Sequence, residues 1–273
     1  MKNTLTIAKY TLREALSRKI FIVFFGISTL ILIIFALIFG LTSLDTLMNI
    51  KLDSQGIQTA ALKQVAEFFK TIIVMPLFGG GLFLSIFSAA SFIPNMLEKG
   101  NIDLLLSKPV SRAQVIWGKF WGGTTIVFFN IAFLVTGLWI LIGLKFSVWE
   151  AELLVTIITI TFTFAVLYAL MILTGILTRS SVLAMMLTYL IFFIFSPLLL
   201  ARENIYILLD NKFIEYILDG LYYLVPKTSE LGSMTANLAA GGSIGSFQPI
   251  ISSFLFMILS LGLSIFIFNK KDY

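Results

Sequence analysis

Six stretches of at least 18 residues that carry no charged side chain constrain the fold of this chain more than any other feature of its sequence. The hydrocarbon core of a bilayer is about 30 Å thick, so roughly 20 helical residues cross it. The uncharged stretches span residues 20–41, 71–93, 120–144, 153–177, 182–200 and 250–268. They predict an all-α integral membrane protein with six transmembrane helices, organised as a single transmembrane domain over residues 1–273.

The composition excludes most soluble and catalytic classes of protein. Hydrophobic residues make up 59% of the chain and charged residues 12%, and the mean hydropathy is +1.01, whereas soluble domains are about 25% charged. The sequence contains neither cysteine nor histidine, so disulfides, thiol chemistry and the commonest general base are absent. A membrane-embedded enzyme, for instance one acting on lipids, would need clustered reactive groups. Because the acidic residues are scattered over loops, we predict no catalytic and no metal site.

The distribution of basic residues predicts the orientation in the membrane. One side of the predicted topology carries twelve Lys and Arg residues and four acidic residues, whereas the other carries seven and ten. Basic loops remain in the cytoplasm, and an even number of spans places both ends of the chain on one side. The sequence therefore predicts a multi-pass protein of the cell (inner) membrane with both termini cytoplasmic. The net charge of +5 then reflects topology and contact with membrane lipid rather than nucleic-acid binding.

Two segments outside the spans carry helical periodicity. In residues 1–19, Leu5, Ala8 and Leu12 recur at helical spacing beside Lys9 and Arg13. This pattern predicts an amphipathic helix on the inner membrane surface, and the alternative is a basic flank that only sets topology.

The extracytoplasmic segment 201–249 contains apolar residues at helical spacing before Pro226, which predicts one or two helices ahead of the last span. The following residues 232–248 are rich in Gly, Ser and Ala and are predicted to be mobile. A lid over a pathway and a packing cap both remain open for this segment.

The loop between the second and third spans, residues 94–119, is a short charged island with strong helix-start signals. Ser111 and Gln114 have the spacing of a reciprocal capping box, and Pro109 keeps the preceding residue extended. We predict a short helix over residues 101–106, a turn, and a third span that begins at a fixed angle. A loop of this kind can transmit the movement of a cytoplasmic protein to the membrane spans.

This island resembles the coupling region of ABC-2 type transporter permeases, whose pattern runs Glu-x-Gly-Thr-(Ile/Leu)-Glu-x-Leu-Leu-Ser-x-Pro-Val-Ser-Arg and then Gly-Lys. The matching positions are Glu98, Gly100, Ile102, Leu104, Leu105, Pro109, Val110, Ser111, Arg112, Gly118 and Lys119. The chain departs from the pattern at Asn101, where Thr is usual, at Asp103, where Glu is usual, and at Ser107, which comes one place later. These departures affect the finer contacts of the loop.

The resemblance implies an ABC-2 (type V exporter-like) fold and a permease subunit of an ATP-binding cassette transporter, an exporter driven by a separate ABC ATPase. ATP and Mg would bind that cytoplasmic partner, and this chain would bind no cofactor. The sequence agrees, because it lacks the Gly-x-x-x-x-Gly-Lys-(Ser/Thr) phosphate loop. A second copy, or a homologous permease, would complete the pathway. The implied ATPase-coupling residues are Glu98, Gly100, Asn101, Asp103, Leu104, Leu105, Ser107, Pro109, Ser111, Arg112 and Lys119. The alternative for the two leucines is packing on the chain's own spans.

Candidates for a substrate path are polar or aromatic, because the spans hold no charge and thus no ion or proton relay. The resemblance implies that spans two and five line the route. The candidate residues are Phe83, Phe87, Asn130, Thr188, Tyr189, Phe192 and Ser196. Threonines 156, 159 and 163 favour helix packing, and the three glycines 79–81 indicate close packing or a hinge.

Two finer questions stay open at this level. The chain could instead be a non-transporting module that passes ATPase motions to an extracytoplasmic partner. In addition, residues 222–227 resemble permeases that support copper-site maturation of nitrous oxide reductase, although the lack of His and Cys argues against copper conduction by this chain.

Overall fold

A computed structural model describes residues 2–17, 19–41, 58–97, 100, 110–209 and 212–271, and all regular elements in these ranges are helical. The first half of the chain contains α1 (Lys2–Ser17), α2 (Lys19–Leu41), α3 (Gln58–Pro76), a π-helical turn (Leu77–Gly81), α4 (Leu82–Ala89) and α5 (Phe92–Met96). The second half contains α6 (Arg112–Phe146), α7 (Glu152–Thr178), α8 (Ser181–Leu190), a second π-helical turn (Ile191–Phe195), α9 (Ser196–Leu200), α10 (Arg202–Leu209), α11 (Lys212–Leu224), α12 (Thr228–Ala239) and α13 (Gln248–Lys270).

Six helical stretches in the described residues are long and apolar enough to cross a membrane, which confirms the predicted fold class. They are Ile22–Leu41, Ala66–Met96, Arg112–Phe146, Glu152–Thr178, Ser181–Leu200 and Gln248–Lys270. Two begin at least five residues before the uncharged stretches, at Ala66 rather than residue 71 and at Arg112 rather than residue 120. Each extended end takes in a buried lysine, Lys70 or Lys119. A charge-free run measures the hydrocarbon segment, whereas the helix continues as long as its backbone hydrogen bonds do.

Helix α7 forms the centre of the bundle. In the most apolar 18-residue stretch of α7, 72% of the residues are buried, whereas in the corresponding stretch of α2 only 17% are buried. Ile160, Phe164 and Tyr168 are fully enclosed, because α6, α8, α12 and α13 all pack around this helix. The bundle is therefore organised around the fourth span, and the first span lies at its edge.

Helix α2 runs along α6 with close contacts at several heights. The Ser28 hydroxyl donates to Asn130 Oδ1 at 3.0 Å, and a Cβ on Gly137 would lie 2.7 Å from Leu32. Nearer the end of both helices, Lys145 Nζ donates to the Phe39 carbonyl at 2.5 Å. The two helices are parallel, as the first and third of six alternating spans must be.

The segment before the last span is helical, and one prediction for it is wrong. Helix α11 ends at Leu224, ahead of Pro226, as expected. Residues 232–239, however, lie in α12 rather than in a mobile stretch, and Leu231, Gly232 and Thr235 are buried. A Cβ on Gly232 would lie 2.8 Å from the Phe78 ring. The small residues allow α12 to pack closely against α3 and α7.

Candidate functional site

The end of the bundle where α6 begins and α7 and α13 end is called the terminal face here. Its helix ends are tied together by two cations. Arg112 Nη1 donates to the carbonyls of Phe268 and Lys271, the latter at 2.6 Å, and the guanidinium lies 5.4 Å from the Phe268 ring centre. Lys271 Nζ in turn donates to the Ile176 carbonyl at 2.7 Å and to the Leu177 carbonyl at 3.3 Å. We call this chain of contacts the clasp.

The clasp follows from the physics of helix ends. The last carbonyls of a helix have no partner within the helix, and the helix dipole makes that end attractive to a cation. Arg112 therefore stabilises the end of α13, and Lys271 the end of α7. Three spanning helices are joined in series at the position where the chain re-enters the bundle.

The re-entry itself is fixed by the predicted capping box. Gln114 N donates to Ser111 Oγ at 3.2 Å, and Ser111 N donates to Gln114 Oε1 at 3.1 Å. On the outgoing side of the loop, a Cβ on Gly175 would lie 3.4 Å from Ile93, so the end of the second span rests on the end of α7. Both ends of the 94–119 loop are thus anchored on helices of the terminal face.

Helix α1 packs onto the first turns of α6 through two glycines. A Cβ on Gly118 would lie 2.6 Å from Ile7, and one on Gly122 would lie 2.6 Å from Thr11. Ile7 and Thr11 are buried, whereas the amphipathic helix exposes Leu5 at 75%. The sequence reasoning missed this contact, although the Gly-x-x-x-Gly spacing of positions 118 and 122 is the known signal for close helix packing.

The opposite side of the same α6 segment packs on α7. A Cβ on Gly123 would lie 2.5 Å from the Tyr168 ring, and the Tyr168 hydroxyl donates to the Lys119 carbonyl at 3.3 Å. The Lys119 side chain is 4% exposed. The start of α6 is therefore held between α1 and α7.

Of the predicted coupling residues, the structure places four. Gly100 is exposed with φ +91°, a conformation that favours glycine. Ser111 and Arg112 belong to the cap and the clasp, and Lys119 is buried on α6. The other predicted coupling residues lie outside the described residues, and their role stays a prediction: Glu98, Asn101, Asp103, Leu104, Leu105, Ser107 and Pro109.

The second and fifth spans each contain a π-helical turn, which the sequence did not predict, and the two spans meet next to these turns. The rings of Phe78 and Phe192 lie 6.1 Å apart. One turn further on, Phe83 and Tyr189 stack at 4.7 Å with a 14° angle between their planes, and the Tyr189 hydroxyl donates to the Phe83 carbonyl at 2.8 Å. A π-turn inside a helix frequently marks a functional site.

The structure thus brings together Phe83, Tyr189 and Phe192 of the predicted path. Phe83 and Phe87 are half-exposed, at 43% and 52%. Other candidates have structural partners instead. The Thr188 hydroxyl donates to the Ala184 carbonyl at 2.8 Å, and Ser196 Oγ accepts from Ser229 N at 2.9 Å.

Asn130 and the threonines of α7 lie elsewhere. Asn130 sits on α6 against α2. The hydroxyls of Thr156, Thr159 and Thr163 donate to carbonyls of their own helix, and Thr235 of α12 donates to Thr159 Oγ1 at 2.8 Å. This arrangement supports helix packing rather than a polar pathway along α7.

A cluster of charged and tyrosine residues joins α10, α11 and α12 at the other end of the bundle. Arg202 Cζ lies 3.6 Å and Lys227 Nζ 3.7 Å from the centre of the Tyr222 ring. The Tyr222 hydroxyl donates to Glu230 Oε1 at 2.6 Å. Two cations against one ring form cation–π contacts that fix the turn before α12.

The pKa values in this cluster are displaced mainly by burial. Burial raises the pKa of Tyr222 to about 12, and the hydrogen bond to Glu230 acts in the same direction. Burial likewise raises the pKa of Tyr206 to about 12, supported by its 2.7 Å hydrogen bond to Asp219. Burial lowers the pKa of Lys227, whose Nζ has no hydrogen-bond acceptor among the described residues.

A largely buried ion pair lies near this end of the bundle. Lys70, 1% exposed, pairs with Glu150 at 2.5 Å, and Trp139 Nε1 donates to the Glu150 carbonyl at 2.9 Å. Within the described residues no three His, Cys, Asp or Glu side chains are grouped to hold a metal ion.

Comparison with known proteins agrees with this interpretation of the helices. A protein-family model described as an ABC-2 family transporter protein matches residues 5–273. No curated protein matches the chain.

Proposed function

Because the chain belongs to the ABC-2 family of transporter membrane proteins, we propose that it is the membrane subunit of an ATP-driven exporter whose ATPase docks on the terminal face. ABC-2 permeases work with ABC ATPases, and this subunit has no ATPase domain of its own. ATP and Mg belong to that partner in the proposal. The basic residues near the terminal face support its placement in the cytoplasm.

The clasp is the observation that carries the proposal. The loop that resembles a coupling region leaves the bundle where Ile93 rests on α7 and returns at Arg112, which holds the end of α13. Lys271 continues the connection from α13 to α7. In this proposal a displacement of the loop is passed to three spanning helices, because the Arg112 and Lys271 side chains each bind carbonyls at the end of a neighbouring helix.

A second permease copy, or a homologous permease, completes the pathway in this proposal. Phe83, Phe87 and Phe193 leave a half-exposed aromatic strip where the second and fifth spans meet. On α8, Val182 and Met186 are also more than half exposed. An apolar strip of this kind suits either lipid or a partner copy.

Mutation of the predicted coupling loop tests the docking. We expect the double variant Glu98→Ala/Leu105→Ala to lose co-purification of the ATPase and its turnover in membrane vesicles. The matched control is Glu203→Ala/Ile207→Ala on α10, another acidic and aliphatic pair, whose side chains are both 82% exposed. Equal ATPase recruitment by the two double variants would contradict docking on this face.

The contents of inverted membrane vesicles distinguish export from signal transmission. An exporter accumulates compounds inside them only when ATP is present, and untargeted mass spectrometry detects these compounds whatever the substrate is. Transmission to an extracytoplasmic partner is the second candidate, because α11 exposes Phe213, Tyr216 and Tyr223 by more than 70% each. ATPase turnover with no ATP-dependent accumulation would favour that alternative.

The finer subgroup is also a proposal. Residues 222–227 resemble permeases of copper-site maturation, and they lie in the cluster that fixes α11 to α12. Since the chain has neither His nor Cys, its part there would be to support a partner rather than to conduct copper.

A further inference from the structure

A crevice lies between α2, the first π-helical turn and α6, away from the terminal face and from the cluster around Tyr222. Its volume is about 380 Å³, within the range of about 300–1,000 Å³ typical of small-molecule sites. The cavity is partly open to the exterior of the bundle. Its walls include Phe24, Ile31, Leu77, Phe83 and Leu134. The space exists because α2 is the peripheral span and the π-turn carries glycines at 80 and 81 where side chains would otherwise fill it.

The polar side chains that line the crevice form one hydrogen-bonded pair. Among the described residues that line it, Ser28 and Asn130 alone have polar side chains. Asn130 is 1% exposed, and its Oδ1 accepts from the Ser28 hydroxyl. Its Nδ2 is buried and has no hydrogen-bond acceptor in the described part of the chain. A buried amide donor without an acceptor is costly in an apolar medium, so this position is suited to an acceptor supplied by a ligand.

The depth of Asn130 restricts the ligand. It lies near the middle of α6, eighteen residues after Arg112 and sixteen before Phe146, or roughly 25 Å from either end at about 1.5 Å per residue. The ester carbonyls of a phospholipid lie at the border of the hydrocarbon core, roughly 15 Å from its centre. An acyl chain in the crevice would therefore leave Nδ2 unpaired.

We infer that this crevice binds a neutral apolar molecule, about the size of three fused aromatic rings, whose carbonyl oxygen accepts from Asn130 Nδ2. The ligand is neutral because no charged side chain is among the residues that line the crevice. It enters from the bilayer, because α2 exposes an apolar surface that includes Ile33 and Leu37. Phe83 lines the crevice and also stacks on Tyr189, so the occupant lies next to the meeting point of the second and fifth spans.

The test compares two probes of nearly the same shape, 2-acetylanthracene and 2-ethylanthracene, which differ in the carbonyl oxygen. Binding is measured by fluorescence to the full chain in phosphatidylcholine nanodiscs, after subtraction of empty nanodiscs. We expect the acetyl compound to bind about threefold to tenfold more tightly, the range of one net hydrogen bond. Asn130→Leu should abolish that preference while the ethyl compound still binds. In the Asn130→Leu variant the Ser28 hydroxyl still has a hydrogen-bond acceptor, because it lies 3.2 Å from the Phe24 carbonyl.

Two glycine variants of the π-turn separate filling of the crevice from a general effect on the turn. A Cβ on either Gly79 or Gly80 meets nothing within 4 Å, but Gly80 lines the crevice and Gly79 does not. Gly80→Leu should weaken both probes at least about tenfold, the effect of roughly one buried apolar contact, and Gly79→Leu should leave both unchanged. Equal binding of the two probes by the unmodified chain, as expected for a lipid-filled crevice, overturns the inference. So does a preference that survives Asn130→Leu, or identical behaviour of the two glycine variants.

Discussion

Replacement of Gly118 and Gly122 by alanine tests whether α1 is an integral part of the bundle. The added methyl groups would lie 2.6 Å from Cβ atoms of Ile7 and Thr11, and each would also lie 3.1 Å from a carbonyl oxygen of α1. These neighbours are near the backbone and cannot rotate away, so α1 itself must move.

The magnitude follows from two opposing effects. Overpacking of a close contact costs about 1–3 kcal/mol, while alanine in place of glycine inside a helix contributes about 1 kcal/mol of stabilisation. Each substitution should thus cost up to about 2 kcal/mol. Because both glycines contact the same helix, the two costs are not strictly additive. We expect the double variant to destabilise the docking of α1 by roughly 2 kcal/mol, which increases the undocked fraction by about thirtyfold.

A single cysteine reports the docking directly, because the chain has no cysteine of its own. Thr11 is 0% exposed, so a Thr11→Cys thiol should react slowly with a maleimide, and the glycine double variant should accelerate the reaction. Gly262→Ala in α13 is the matched control, since its Cβ meets nothing within 4 Å. Equal labelling rates in the Gly262→Ala background and in the glycine double variant would refute the reasoning.

Three further outcomes are expected from the clasp and from the cluster around Tyr222. Arg112→Gln should lower the apparent Tm by removing a charged donor to the end of α13, worth about 1–2 kcal/mol, and Arg112→Lys should restore it only in part, because an ammonium lacks the guanidinium fork. In an ultraviolet phenolate titration, Tyr206→Phe and Tyr222→Phe should each remove one group that ionises near pH 12. Since both pKa values are raised above 10.0, their stabilising effect is lost as pH rises from 10.0 towards 12. The lowered pKa of Lys227 means that the unfolded chain binds a proton at this amine more tightly than the folded chain does, so the free energy of unfolding should rise as pH increases towards 10.5. Lys227→Met should abolish this rise. An unchanged Tm–pH profile in the methionine variant would exclude a displaced pKa at Lys227.

The number and class of the spanning helices followed from the sequence because the bilayer imposes a local rule. Any stretch that crosses hydrocarbon must satisfy its own backbone and avoid charge, so each span is visible in its own residues. The capping box at Ser111 was predictable for the same reason, since its two hydrogen bonds join residues three apart in the chain. The pattern of the 94–112 island likewise indicated the family that the match over residues 5–273 shows.

Contacts between distant parts of the chain were not predictable in this way. The sequence predicted for Arg112 only a contact with the ATPase, whereas in the structure its guanidinium binds a carbonyl at the end of α13, 156 residues further along. Residues 232–239 were expected to be mobile because small residues favour loops, but the same smallness allows α12 to pack against Phe78. Small side chains are compatible with both outcomes, and only the neighbouring surface selects one.

The sequence by itself thus determined that this is a six-span membrane protein of the transporter family, with a capped helix start after its charged loop. The tertiary structure decided which helix ends are joined by Arg112 and Lys271, that the second and fifth spans meet next to two π-turns, and that a crevice surrounds Asn130. The physical reason is one of range. Hydrophobicity and capping act over a few residues, whereas the partner of a cation, a glycine or a buried amide is set by packing between helices far apart in the chain.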